Sequence, residues 1–467
     1  MSEKTPLAKR AAQFAVLTVG GGVALTFAMA GSASADDVTV QDAEVTNAGA
    51  AAANSGGNVA VGNASDNTAA NGQGAVGLIA SNNGSAENTS NGTASITTGE
   101  ATATGSQAAT SVDQEATGGD GPGLDVAVQD GDVVNAGVAA SNSGGNIGVG
   151  NASTNVAVNA QGAAGGVASN IGGASNTSDG TASITTGAAK ATGNASLTDV
   201  DQTADTGDGA GLSLIVQNTD VLNLGAAAAN SGGNLGIGNA SGNLAINLQG
   251  AAGLIASNNG GASNKSDGTA TIKTGAATAT GNASATDIDQ AADAGDGAGL
   301  AVIVQNAGVL NLGLAAANSG GNVALGNVSG NLAVNAQGAL GLIASNVGGA
   351  SNDSDGDASI TTGNATATGN QSATKVGQDA DADPAALAIV FQNAPVVNAG
   401  LGVANTGLNA AVANSSLNAA IMAQVSFGLL ASNVSDVSNL SDGFAMVLTG
   451  TATGTGNQAV TVVEQDT

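Results

Sequence analysis

One seven-residue pattern, Asn-x-Ala-x-x-x-Gln, returns at a fixed interval through the chain, for example as Asn243-Leu244-Ala245-Ile246-Asn247-Leu248-Gln249. Its closing glutamines are Gln73, Gln161, Gln249, Gln337 and Gln424, spaced 88, 88, 88 and 87 residues apart. Gln41, Gln129, Gln217, Gln305 and Gln392 keep the same beat, as do Gln114, Gln202, Gln290, Gln378 and Gln465. Such self-similarity marks a repeat architecture, in which each unit buries its apolar surface against its neighbours. Residues 36–388 therefore read as four tandem repeats, at 38–125, 126–213, 214–301 and 302–388, followed by a divergent fifth at 389–467. No proline-rich or charged linker interrupts them, so a single continuous body is expected.

What the repeat can fold into is limited by its side chains. There is no Trp, Tyr, Cys or His, aromatics are 1 % of the chain, and 74 glycines sit among abundant Ala, Asn, Ser and Thr. A thick core needs large side chains, so a thin structure with closely stacked backbones remains. Disorder is the alternative that scarce large aliphatics and a net charge of −28 suggest, but only 9 % of residues are charged and only 4 are proline, unlike typical disordered chains. Local patterns are strand-like. Thr181-Ala182-Ser183-Ile184-Thr185 alternates, sending Ala182 and Ile184 to one face. Leu212-Ser213-Leu214-Ile215-Val216 reads as a buried strand with Ser213 outward, in a column shared with Asp125, Ala301 and Ala388. Asn91-Gly92, Asp179-Gly180, Asp267-Gly268, Asp355-Gly356 and Asp442-Gly443 read as tight turns, and Ser143-Gly144-Gly145-Asn146 and its copies as loops. The fold class is all-β, a β-solenoid or β-helix-like array of five 88-residue repeats. If one rung takes roughly 20–25 residues, each repeat holds about four. The fifth repeat carries Phe391, Phe427, Phe444, Met422 and Met446, and Pro384 stands in the loop that leads into it. It reads as a C-terminal cap, or alternatively as a docking end.

Residues 1–35 carry a targeting signature. Lys4, Lys9 and Arg10 precede a largely apolar stretch from Ala11 to Ala30, and Ala33-Ser34-Ala35 offers a cleavage site. Export to the cell surface or beyond is expected, with no transmembrane span after cleavage. Removing these residues leaves 4 lysines against 34 acids, a net charge of −30, and no arginine. Nucleic-acid binding needs a basic footprint and is excluded on that ground. Charge of this size favours solubility and makes assembly sensitive to salt.

The Asn-x-Ala-x-x-x-Gln element resembles the second half of the curlin repeat of bacterial curli fibres. That resemblance implies a self-assembling extracellular fibre subunit in which Asn and Gln stack as hydrogen-bonded ladders, here with Gln73, Gln161, Gln249, Gln337 and Gln424 as ladder residues. Physically, an inward amide can bond its copy one rung away and so avoid the cost of unpaired burial. The other reading gives these residues to turns and exposed faces.

Acidic clusters recur at Asp199, Asp201, Asp205 and Asp208 and again at Asp287, Asp289, Asp293 and Asp296. They are candidate calcium ligands, since calcium takes several carboxylate oxygens around a flexible loop, or alternatively a solvated acidic rim. No other cofactor is indicated. Without His, Cys, Tyr or Arg after residue 35, nucleophile and base constellations are lacking, and an enzyme is not expected. Three functions are carried forward: a secreted structural protein of the cell surface or extracellular matrix whose partner is itself, a calcium-dependent or adhesive module whose partners are cell-surface components, and, from threonine rows such as Thr93-Ala94-Ser95-Ile96-Thr97, an ice-binding surface.

Overall fold

The computed structural model describes residues 17–19, 23–25, 35–119, 123–208, 211–296, 298–382 and 387–467. Most of the targeting segment, and Pro384, lie outside the described residues. The repeat array is all-β, and its strands pair in parallel with their copies one repeat away.

Each 88-residue repeat is one complete coil. In the second coil the strands are Leu124–Asn142, Ile147–Ile171, Ala174–Thr185 and Ala189–Asp205, of 19, 25, 12 and 17 residues. The register is unbroken across repeats: Gln217 lies beside Gln129 and Gln305, and Gln249 beside Gln161 and Gln337. The sequence-based expectation of about four short rungs per repeat is therefore wrong. It took the Asp-Gly and Asn-Gly dipeptides for turns, whereas Asn91-Gly92 and Asp179-Gly180 lie inside the strands Ala86–Thr97 and Ala174–Thr185. Read without those breaks, the strands are long. At about 3.3 Å per residue the first strand of a coil spans about 60 Å, while five coils stacked about 4.8 Å apart rise on the order of 20 Å.

A coil is folded flat on itself. The first strand faces the fourth, and the second faces the third. Val133, Val200 and Val221 pack between first and fourth strands, with Ala139, Ala189 and Ala227 further along. Ala157 and Ala174 pack between second and third, as do Ile184, Ile272 and Ala324. The far end closes in an arch, where Ala163 and Ala168 of one strand meet. Because alanine is the usual inward apolar residue, the layers stay close. Strand alternation holds at Thr181–Thr185, where Ala182 and Ile184 are buried. At Leu212–Val216 the phase is the reverse of the expected one. Ser213 is buried, its hydroxyl 2.6 Å from that of Thr206, while Leu212 and Leu214 are half-exposed. Its column never carries a large apolar side chain because the interior is narrow there.

Glycine sets the closest approach. A Cβ at Gly180 would collide with the Gly238 carbonyl oxygen on the facing layer, and one at Gly137 with that of Gly193. The Asp-Gly dipeptide thus marks a waist where backbone meets backbone, a role that requires the missing side chain rather than a positive φ. The Ser143–Asn146 loop does use positive φ: Gly145 has φ 76°, and its copies Gly57, Gly233 and Gly321 have φ 78°, 76° and 74°. In the fifth coil Leu408 occupies that place with φ 60°, the only non-glycine with positive φ among the described residues. Gly180→Ala is expected to force the layers apart and cost about 1–3 kcal/mol or more by overpacking, read as a drop in thermal midpoint, whereas Gly162→Ala, whose Cβ would meet open space, is expected to be neutral.

Candidate assembly interface

The interior of the flat coil is lined by amides as much as by aliphatic groups. Gln129, Gln217 and Gln305 are fully buried, as are Asn135, Asn151, Asn155 and Asn159. A parallel in-register stack puts identical side chains one strand spacing apart, so each amide can donate to its copy on one side and accept from its copy on the other. Gln249 Nε2 donates to Gln161 Oε1 at 2.9 Å, and Gln337 Nε2 to Gln249 Oε1 at 2.9 Å. Gln161 Nε2 reaches Gln73 at 3.1 Å and Gln424 Nε2 reaches Gln337 at 2.8 Å, so the five glutamines form one ladder. The second amide hydrogen of Gln249 goes to the Gly172 carbonyl at 2.9 Å.

Within the same heptapeptide Asn243 donates to Asn331 at 2.8 Å and Asn247 to Asn335 at 2.9 Å. These asparagines are strand residues facing inward, not turn residues. The columns of Asn47, Asn54, Asn58, Asn63, Asn82 and Asn88 behave alike. Asn more often signals a turn, which obscures them in the sequence; the signal that could have found them is the 88-residue spacing they share with the glutamines.

The ladders have direction. All three glutamine columns donate toward the first coil, as in Gln129 to Gln41 at 2.9 Å and Gln202 to Gln114 at 2.7 Å. The columns of Asn47, Asn58, Asn63, Asn67, Asn82 and Asn88 donate toward the fifth. The two ends are consequently unlike. On the fifth coil no further copy donates to the Oε1 atoms of Gln392, Gln424 and Gln465, and that of Gln424 is buried without a hydrogen-bond partner. On the first coil the glutamine Nε2 atoms have lost the copy they would donate to, and Gln41 and Gln73 bond only carbonyls of Glu115 and Asn83.

Neither end is covered: no further described strand pairs with the first or the fifth coil of the array. The fifth repeat forms a coil like the others, not a cover over them, with Phe391, Phe427, Phe444 and Met446 exposed and Met422 packed against the Ala333 cluster.

The acidic residues lie elsewhere. Asp199, Asp201, Asp287 and Asp289 stack in two columns on the fourth strand, with their neighbours Val200 and Ile288 buried. Lys375 from the next coil reaches Asp287 at 3.2 Å and Asp289 at 3.1 Å. Asp205 and Asp293 each accept the amide of a glycine two residues on, at 2.8 Å, and Asp208 accepts the amide of Asp296 at 3.0 Å. Among the described residues no group of three or more acidic side chains is arranged to hold a metal ion.

Stacking carboxylates has an electrostatic cost. Partial burial, then Asp267 one coil away, raises the pKa of Asp179 above its ordinary value. Burial followed by Asp130 and Asp220 does the same for Asp132, and burial followed by Asp130 for Asp220. Asp201 is raised by desolvation and by Asp199, Asp289, Asp113 and Asp287. Asp179 Oδ1, Asp267 Oδ1 and Asp132 Oδ1 are buried without a hydrogen-bond partner.

Together these features define an in-register parallel β-solenoid with one repeat per coil and internal amide ladders. Comparison with protein-family models, curated proteins and solved structures finds no match to any of them.

Two outcomes are expected. Gln249→Leu orphans Gln161 Oε1 and the Gly172 carbonyl while Gln337 Nε2 keeps the Gly260 and Val347 carbonyls, so it is expected to cost about 2–4 kcal/mol, measured by denaturant unfolding, with Gln249→Asn no better because the shorter amide cannot span the interior. The raised aspartates bind protons more tightly in the folded state than in the unfolded one. Stability should rise as pH falls from 7 through their raised values, the gain being complete near the ordinary carboxylate value of about 3.9. A thermal midpoint higher at pH 4.5 than at pH 7, with the difference reduced in Asp179→Asn and Asp132→Asn, is the expected reading.

Proposed function

We propose that this protein is a structural component of the cell surface or extracellular matrix that assembles with copies of itself by end-to-end stacking of coils. The observation that carries this reading is the complementarity of the two ends. With a fifth coil set on the first coil of another copy, Gln41, Gln73 and Gln114 would donate to Gln392, Gln424 and Gln465. Asn398, Asn409, Asn414, Asn418, Asn433 and Asn439 would donate to Asn47, Asn58, Asn63, Asn67, Asn82 and Asn88, continuing the ladders within one molecule. First coil on first coil, or fifth on fifth, would set like against like wherever a column met its copy, glutamine donors on donors with asparagine acceptors on acceptors or the reverse, so neither continues the ladders. The contact is thus heterologous, and a heterologous contact that does not close into a ring propagates as a filament.

Long strand edges, interrupted by Pro395 in the fifth coil and by a register shift at Ala35–Asp37 in the first but free of lysine, support the same reading. Proteins that must remain monomeric blunt such edges with lysines, prolines, bulges or a covering element. The first coil has no lysine among its described residues, and neither has the fifth. Resemblance to the curlin element points the same way. A second reading, an adhesive module, draws support from one feature: Leu78, Leu254, Leu342 and Leu429 stand exposed in one column on the arch, interrupted only by Gly166 in the second coil.

Negative-stain microscopy of the purified protein with thioflavin binding is the direct test. Unbranched filaments with a strand repeat of about 4.8 Å along the axis are expected. Discrete particles at all concentrations and salt strengths, binding instead to cells or glycans, would replace the structural reading with the adhesive one.

A further inference from the structure

If ends stack as proposed above, the same register fixes which charges meet at the joint. Asp113 pairs with Asp201, and that column continues through Asp289 and Gly377 to Glu464. Glu115 pairs with Thr203, in the column that continues through Ala291 and Asp379 to Asp466. A fifth coil on a first coil therefore sets Glu464 against Asp113 and Asp466 against Glu115, all four exposed and flanking the inward Gln114–Gln465 rung.

No other column sets acid on acid at the joint among the described side chains. Asp42 meets Asn393, Asp66 meets Leu417, Glu87 meets Ser438, Glu100 meets Thr451, Asp436 meets Ser85 and Asp442 meets Asn91. The repulsion is confined to one short stretch of the outer face. Inside the molecule this same stretch is relieved once, where Lys375 of the fourth coil bonds Asp287 and Asp289 of the third. Lys375 reaches the coil before its own, and the place in its column that would do the same across the joint is Ser111 of the first coil, which supplies no cation.

We propose that this quartet, Asp113, Glu115, Glu464 and Asp466, is an electrostatic gate on polymerisation, and that the partner it regulates is a second copy of this chain. The amide ladders supply the affinity and the four carboxylates set the ionic strength at which it is realised. Strand spacing brings the like charges to about 5 Å. The screening length is about 30 Å at 0.01 M salt, about 8 Å at 0.15 M and about 3 Å at 1 M. Repulsion at the joint is thus nearly full in dilute buffer and collapses only above physiological strength. Carboxylates opposed in this way are destabilising, so removing two pairs should lower the critical concentration roughly 5-fold in dilute buffer.

The test compares critical concentration, by sedimentation and microscopy, for the wild-type protein, the Glu464→Gln/Asp466→Asn variant and the Ser111→Lys variant at 0.01 M and 0.5 M sodium chloride. Circular dichroism checks that each variant keeps its strands. The wild-type value is expected to fall with salt, the neutralised variant to assemble at 0.01 M with little salt response, and Ser111→Lys, which would reach Glu464 as Lys375 reaches Asp289, to behave like the neutralised variant or better. Filaments with equal critical concentrations for all three proteins at 0.01 M would overturn the gate while leaving end stacking intact. No filaments from any of the three at either salt would overturn end stacking, and the gate with it.

Discussion

Everything in this molecule depends on an amide meeting its own copy one strand spacing away. A primary amide has two donors and one oxygen acceptor, and a parallel in-register stack is the arrangement in which identical amides satisfy one another indefinitely. Once that is granted, the odd composition follows. Asparagine and glutamine can line the interior, as Asn155, Asn247 and Gln217 do, because the neighbouring coil removes the cost of burying them. Alanine fills many of the remaining inward places, with valine and isoleucine in a few columns, and the layers stay close enough for the amides to reach facing carbonyls, such as Gln217 to the Ala291 carbonyl at 2.9 Å.

The repeat length, the strand alternation at Thr181–Thr185 and the ladder role of Gln249 are all legible in the sequence. Periodicity carries that information directly: an exact spacing over five units leaves few architectures. The size of a coil is not legible, because local turn chemistry and distant packing use the same residues. Asp179-Gly180 satisfies every local requirement of a tight turn, yet it lies in a strand because Gly238 on the facing layer needs the space of a missing Cβ. Ser213 fails for a related reason. A small polar residue suggests a wet face, but here the Ser213 hydroxyl bonds Thr206 in the interior.

The acidic columns show how far spacing alone can mislead about a site. Asp199, Asp201, Asp205 and Asp208 are close in sequence, but alternation and the following turn send them to different surroundings. The first two lie on the outer face, while the others accept backbone amides at the coil junction. What the register does bring together is each aspartate with its copies, a one-dimensional stack of like charge that lysine interrupts only at scattered positions. The tolerance for such stacks measures how much the buried ladders contribute, since they hold the register against the repulsion.

A coil of 88 residues also determines how the chain can acquire its structure. Nearly every ladder bond joins residues 88 positions apart, so the first pairing must close a loop the size of a small domain before any of its contacts reward it. The second coil has no template, whereas each later coil can be laid strand by strand onto a finished edge. Formation is therefore governed by a rare first event followed by rapid addition, the kinetics of a growing crystal contained within a single polypeptide.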